Sequence, residues 1–104
     1  MKAVRQAVID IGSNTVRLVV YAGLPRAPLP IYNEKSRVKL GACLAGDGII
    51  DKATMKKALA ALARFETLAK AMKVDTMRVV ATAATREAKN GHELVEKAAA
   101  LGIH

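Results

Sequence analysis

A chain of 104 residues has room for one compact domain with its own hydrophobic core, and hardly for two. Apolar residues make up 52%, but aromatics are limited to two Tyr and one Phe, so the core must be built from Val, Ile, Leu, Met and Ala, and base stacking on single-stranded nucleic acid is disfavoured. Lys and Arg outnumber Asp and Glu by 17 to 9, and the net charge of +8 favours encounter with polyanions.

Residues 3–11 (AVRQAVIDI) and 15–22 (TVRLVVYA) are rich in β-branched side chains and read as two strands joined by a tight polar turn. GLPRAPLP follows, with Pro and Gly dense enough to exclude helix and central strand, and is expected to be a loop. A third strand is predicted over 31–40 (IYNEKSRVKL), where Lys35, Arg37 and Lys39 alternate onto one side, as on a charged edge strand. GACLAGDG breaks that pattern.

From Asp51 to about Lys73, Met55, Leu59, Leu62, Phe65, Leu68 or Ala69, and Met72 recur at helical spacing. Asp51 is placed to cap this helix, and Glu66 precedes Lys70 by four residues in the favourable order. Lys56, Lys57, Arg64, Lys70 and Lys73 fall within the same pattern, as charge spread over a solvated helix face does. TMRVVATA (76–83) predicts a fourth strand, and ATREAKNG a polar connection. Asn90 with Glu93 three residues on resembles a capping box for a second helix, with Leu94, Val95, Ala98 and Leu101 on its apolar side and Gly102 at its end.

A single Cys, Cys43, excludes an intrachain disulfide and reads as a small residue packed in a loop of a protein from a reducing compartment. No apolar run reaches the length of a membrane span, and MKAVRQAVID meets an acidic residue too early for a signal peptide, so a cytoplasmic location is expected.

The first turn, Asp10-Ile11-Gly12-Ser13-Asn14-Thr15, carries the chemistry. Gly12 lets backbone approach a ligand closely, and Ser13, Asn14 and Thr15 add side-chain donors, so the turn can cradle a phosphate. Asp10 would repel a phosphate directly, but it can hold a divalent cation or a water facing one. Read alone, the same six residues also satisfy an ordinary hairpin.

DIGSNT followed by VRLVV resembles the first phosphate loop of the exopolyphosphatase and guanosine pentaphosphate phosphohydrolase family. NEKSRVKLG (33–41) and VVATAATREAKNG (79–91) agree with that family in order and spacing, and the resemblance runs from about Ala7 to Ile103. It implies an α/β domain of ribonuclease H-like, actin-like ATPase fold over 1–104. The element order would be β-β-β-α-β-α, in a mixed sheet ordered third, second, first, fourth, stopping before a fifth strand. It further implies Mg²⁺-dependent removal of terminal phosphate from inorganic polyphosphate or pppGpp. In that scheme Asp10 would take the metal or its water, Gly12, Ser13, Asn14 and Thr15 would line the phosphate site, and Arg86 would reach the polyanion from the neighbouring strand.

In the family the carboxylate thought to activate water is a Glu just beyond the fifth strand, followed by a second glycine-rich loop. Glu87, Glu93 and Glu96 do not replace it convincingly, so these residues read as the N-terminal part of such a phosphatase, inactive in isolation. The open edge of the fourth strand would invite homodimerisation or domain swapping. Two other readings stand beside this one: a non-catalytic module binding a polyanion or nucleic acid nonspecifically, and, more weakly, a sugar or carboxylate kinase of the actin-like group.

Overall fold

The computed structural model describes residues 4–24, 26–81 and 83–100. Along them run β1 (Val4–Ile11), β2 (Thr15–Gly23), β3 (Leu29–Arg37), α1 (Leu40–Ala45), α2 (Lys52–Ala71), β4 (Thr76–Ala81), α3 (Ala83–Glu87) and α4 (Gly91–Ala100). The strands form one sheet ordered β3-β2-β1-β4, as the resemblance implied. β1 is antiparallel to β2 and parallel to β4, and β2 is antiparallel to β3, so the sheet is mixed.

Strand alternation decides which face is buried. Ala7, Ile9 and Ile11 pair with Val20, Leu18 and Val16, and all six are buried. They meet the apolar stripe of α2, where Met55, Ala58, Ala61, Leu62, Phe65 and Ala69 are buried and Leu59, Leu68 and Met72 pack partly against the core. Leu94 and Ala98 of α4 join the same core. The opposite sheet face carries Asp10, Arg17 and Lys35 in one cross-strand row, all exposed.

α2 forms where the periodicity placed it. The Asp51 carboxylate accepts the Thr54 N–H at 2.7 Å, a side-chain N-cap, and Lys70 pairs with Glu66 at 2.6 Å. At its other end Val74 N–H donates to Ala69 O and Lys73 N–H to Lys70 O, the two bonds of a Schellman motif, with Lys73 left-handed at φ 54°.

Several expectations are corrected. β3 begins at Leu29, inside the segment read as loop; Pro30 is accommodated because β3 is an edge strand and the β2–β3 register shifts beside it, at Val20/Tyr21. β3 ends at Arg37, so Lys39 does not continue the alternating row but takes a left-handed conformation, φ 60°, ahead of α1. Cys43 lies in that short helix, half-buried, rather than in a loop. Part of ATREAKNG is the helix α3.

Asn90 does not cap α4 with its side chain. Its Oδ1 accepts the Ile50 N–H at 2.8 Å and its Nδ2 donates to Ile50 O at 2.9 Å, tying α4 to the segment before α2. Val95 is 55% exposed and so lies off the buried side of α4. The predicted roles of Leu101 and Gly102 lie outside the described residues.

Candidate phosphate site

The parallel pairing of β1 with β4 assembles the site. Asp10 stands opposite Val80 and Ile11 opposite Ala81, so the carboxyl ends of both strands finish side by side. The turn 12–14 leaves one of them and α3, with Arg86, leaves the other. α3 in turn packs against α1, and α1 touches the turn through Gly41 and Ser13. Crevices at the carboxyl ends of strands are where α/β sheets place ligands.

The turn itself is closed by the Gly12 N–H donating to Thr15 O at 2.9 Å, and a Cβ at Gly12 would come within 3.0 Å of that oxygen. The carbonyls of the turn point to α1. Ser13 O accepts from the Gly41 N–H at 2.7 Å, and Asn14 O accepts from Val38 and Lys39 N–H at 2.9 and 3.0 Å. These donors precede or open α1, which has no side-chain cap; the turn satisfies helix N–H groups that would otherwise be orphaned. Among the described residues, the N–H groups of Ser13 and Asn14 donate to no protein acceptor. Both residues are exposed, with Gly12 and Thr15 half-buried beneath them.

Asp10 is exposed one residue before the end of β1, facing Arg17 across the β1–β2 ladder, yet its carboxylate joins no ion pair or hydrogen bond among the described residues. The Arg86 guanidinium is likewise exposed and unpaired among them. The geometry therefore brings Asp10 and the turn together directly and brings Arg86 to the same end of the sheet by way of β4.

An implied Mg²⁺ can be tested against this donor set. Among the described residues no three His, Cys, Asp or Glu side chains gather as a metal cluster. A carboxylate without a partner among the described residues, two positions before the turn, nevertheless suits Mg²⁺, which keeps several waters and binds through one or two carboxylates plus substrate oxygens. Asp10 fits that role.

The sequence reading missed what the Val38–Gly41 backbone does. Main-chain donors carry no residue signature, and within NEKSRVKLG the closing Gly41 is the one sign of them.

The model of the Ppx/GppA phosphatase family matches residues 19–102. A guanosine-5'-triphosphate,3'-diphosphate pyrophosphatase of Pseudoalteromonas atlantica is 31% identical over 98 residues, covering 94% of this chain and 20% of that protein. Exopolyphosphatase 1 of Mycobacterium tuberculosis is 30% identical over 94 residues, covering 89% of this chain and 27% of its own length. The crystal structure of the Aquifex aeolicus Ppx/GppA family member superposes with a TM-score of 0.92 at 27% identity, over 99% of this chain and 35% of that one. An exopolyphosphatase from Cytophaga hutchinsonii gives a TM-score of 0.82 at 31% identity, over 90% and 30%. The chain thus spans between 20% and 27% of the length of these curated relatives.

Proposed function

The chain belongs to the Ppx/GppA phosphatase family, and we propose that it supplies the first phosphate-binding loop of a phosphohydrolase that removes terminal phosphate from inorganic polyphosphate or pppGpp. The observation that carries this reading is the pair of N–H groups on Ser13 and Asn14, which find no protein acceptor among the described residues while the carbonyls of the same turn are held away, with Asp10 one residue before the end of the strand that leads into the turn. Oriented backbone N–H groups of this kind bind anionic oxygen.

In this reading Gly12 gives the turn its close approach, Ser13 and Asn14 donate to phosphate oxygens through backbone and side chain, and Thr15 adds a hydroxyl from the first position of β2. Arg86 would contribute positive charge from α3, where a guanidinium fork suits phosphate. Bound Mg²⁺ would offset phosphate charge and orient the reacting group. Asp10 would hold that ion, directly or through its waters.

Phosphoryl transfer needs positioned groups on both sides of the phosphate. Glu87, Glu93 and Glu96 are exposed on α3 and α4, where carboxylates are ordinarily solvated. These 104 residues are therefore proposed to bind phosphate without turnover. Self-association through the outer edge of β4 is part of the same proposal, because β4 ends the sheet with one edge unpaired among the described strands. A single monomeric mass by light scattering at high concentration would remove it.

The test is calorimetric titration with polyphosphate in the presence of Mg²⁺, using the wild type, Asp10→Ala and Ser13→Ala. Loss of affinity in both variants supports the loop. Unchanged affinity in both returns it to a plain hairpin turn. Release of phosphate by the wild-type chain at an ordinary enzymatic rate would contradict the proposed lack of turnover. Binding that ignores Mg²⁺ and both substitutions but falls steeply with salt would favour the nonspecific polyanion reading, for which the exposed row of Arg17 and Lys35 would serve.

A further inference from the structure

A trans peptide is planar, with its N–H opposed to its C=O. Whatever fixes the Ser13 carbonyl therefore also fixes the direction of the Asn14 N–H. The Gly41 N–H holds the Ser13 carbonyl at 2.7 Å, and Val38 and Lys39 hold the next carbonyl, that of Asn14. The bonds point toward α1, so the Asn14 N–H is turned the other way, out of the fold.

The short bond needs close approach. A Cβ built on Gly41 would lie 3.3 Å from Ser13 Cβ, tighter than side chains ordinarily pack, and in contact with Ser13 O at 3.4 Å. Gly41 has no left-handed backbone to justify it, since the positive-φ glycines are Gly23 and Gly48. Its lack of a side chain is explained by its contact with Ser13.

We propose that Gly41 is a positioning residue of the phosphate loop: its N–H and its missing side chain set the Ser13–Asn14 peptide so that the Asn14 N–H faces the bound anion. This rests on the reading of the turn as a phosphate site. Gly41 acts through the turn and does not itself touch phosphate. Preorganised donors of this kind bind without first having to be oriented, which is why a shift of a few tenths of an ångström is felt.

The experiment uses the ¹⁵N-labelled 104-residue chain with tripolyphosphate and Mg²⁺ as probe, comparing wild type, Gly41→Ala, Ser13→Gly and the double variant. Gly41→Ala is expected to shift the Asn14 amide resonance in the ligand-free protein, leave the α2 amides in place, and weaken tripolyphosphate binding about fivefold to tenfold, the scale of one misaligned hydrogen bond. In the Ser13→Gly background the added methyl has no Cβ to strike, so the further loss should be smaller. A general loss of stability would not show that dependence, and if Gly41→Ala alone fails to fold, recovery of the fold in the double variant reads the same contact.

Wild-type affinity retained by Gly41→Ala, or an equal loss in both backgrounds, overturns the positioning role while leaving the phosphate loop standing. Failure of the wild-type chain to bind tripolyphosphate at all overturns the loop reading and this inference with it.

Discussion

Arg64 of α2 grips Glu34 of β3 through two donors, Nε to Oε2 at 2.5 Å and Nη2 to Oε1 at 2.9 Å. Tyr32, two residues back on the same strand face, donates its hydroxyl to Glu34 Oε1 at 2.8 Å. The side chains of this cluster join the edge strand to the long helix at the border of the core. The bidentate geometry is the strong form of a carboxylate pair.

That cluster makes stability depend on acid. The Arg64 guanidinium, and after it the Tyr32 hydroxyl, hold the Glu34 carboxyl down at about 2, from 4.5. A carboxyl lowered on folding adds stability that is fully present above its unfolded value and is lost as pH falls through its folded one. Thermal melts should therefore show stability falling between about pH 5 and pH 2. Glu34→Gln should flatten the part of that fall due to this group, while melting lower than wild type at pH 7. An unchanged acid profile would place the dependence elsewhere, the lowered carboxyl of Asp51 being the next candidate.

Lys73 closes α2 in a left-handed conformation, φ 54°, that an L-residue adopts at a cost and glycine adopts freely. Lys73→Gly is expected to stabilise the chain by about 1 kcal/mol, raising Tm by about 4–8 °C for a domain of this size. Thermal denaturation checks it. A lower Tm would mean that the Lys73 side chain contributes more than its backbone costs.

The Thr85 hydroxyl is buried, the residue 2% exposed, and finds no partner among the described residues. Replacing it by a methyl of the same shape removes an unsatisfied polar group, so Thr85→Val should raise stability by about 1 kcal/mol in urea unfolding. Gly91 packs against the backbone of the same residue, and a Cβ there would sit 1.9 Å from the Thr85 carbonyl oxygen. Gly91→Ala should cost about 3 kcal/mol or more, through forced movement of α3 against α4.

Elements with long-range periodicity were legible in the sequence. α2 has five turns of apolar spacing and an Asp cap, and the β1–β2 hairpin is bounded by a polar turn. α1 and α3, six and five residues long, are too short to show a period, and their Gly- and Ala-rich sequences resemble connections. Asn90 carries a correct capping signature, but tertiary contact with Ile50 takes its side chain instead. At the candidate site, Asp10 and the 12–15 turn stand out in the sequence because a carboxylate, a glycine and three hydroxyl or amide side chains are the types that the proposed phosphate binding needs. The backbone bonds from Val38, Lys39 and Gly41 do not, because they follow from where β3 ends and α1 begins.

Phosphate held in the first turn of the chain would perturb the backbone amides of that turn. Amide chemical-shift mapping with tripolyphosphate and Mg²⁺ tests it most directly, in wild type and Asp10→Ala. Saturable shifts are expected on Gly12, Ser13, Asn14 and Thr15, with a response near Arg86, and their loss or marked weakening in Asp10→Ala. Shifts spread over the exposed Lys and Arg residues of β2, β3 and α2, equal in both proteins and abolished by moderate salt, would contradict it.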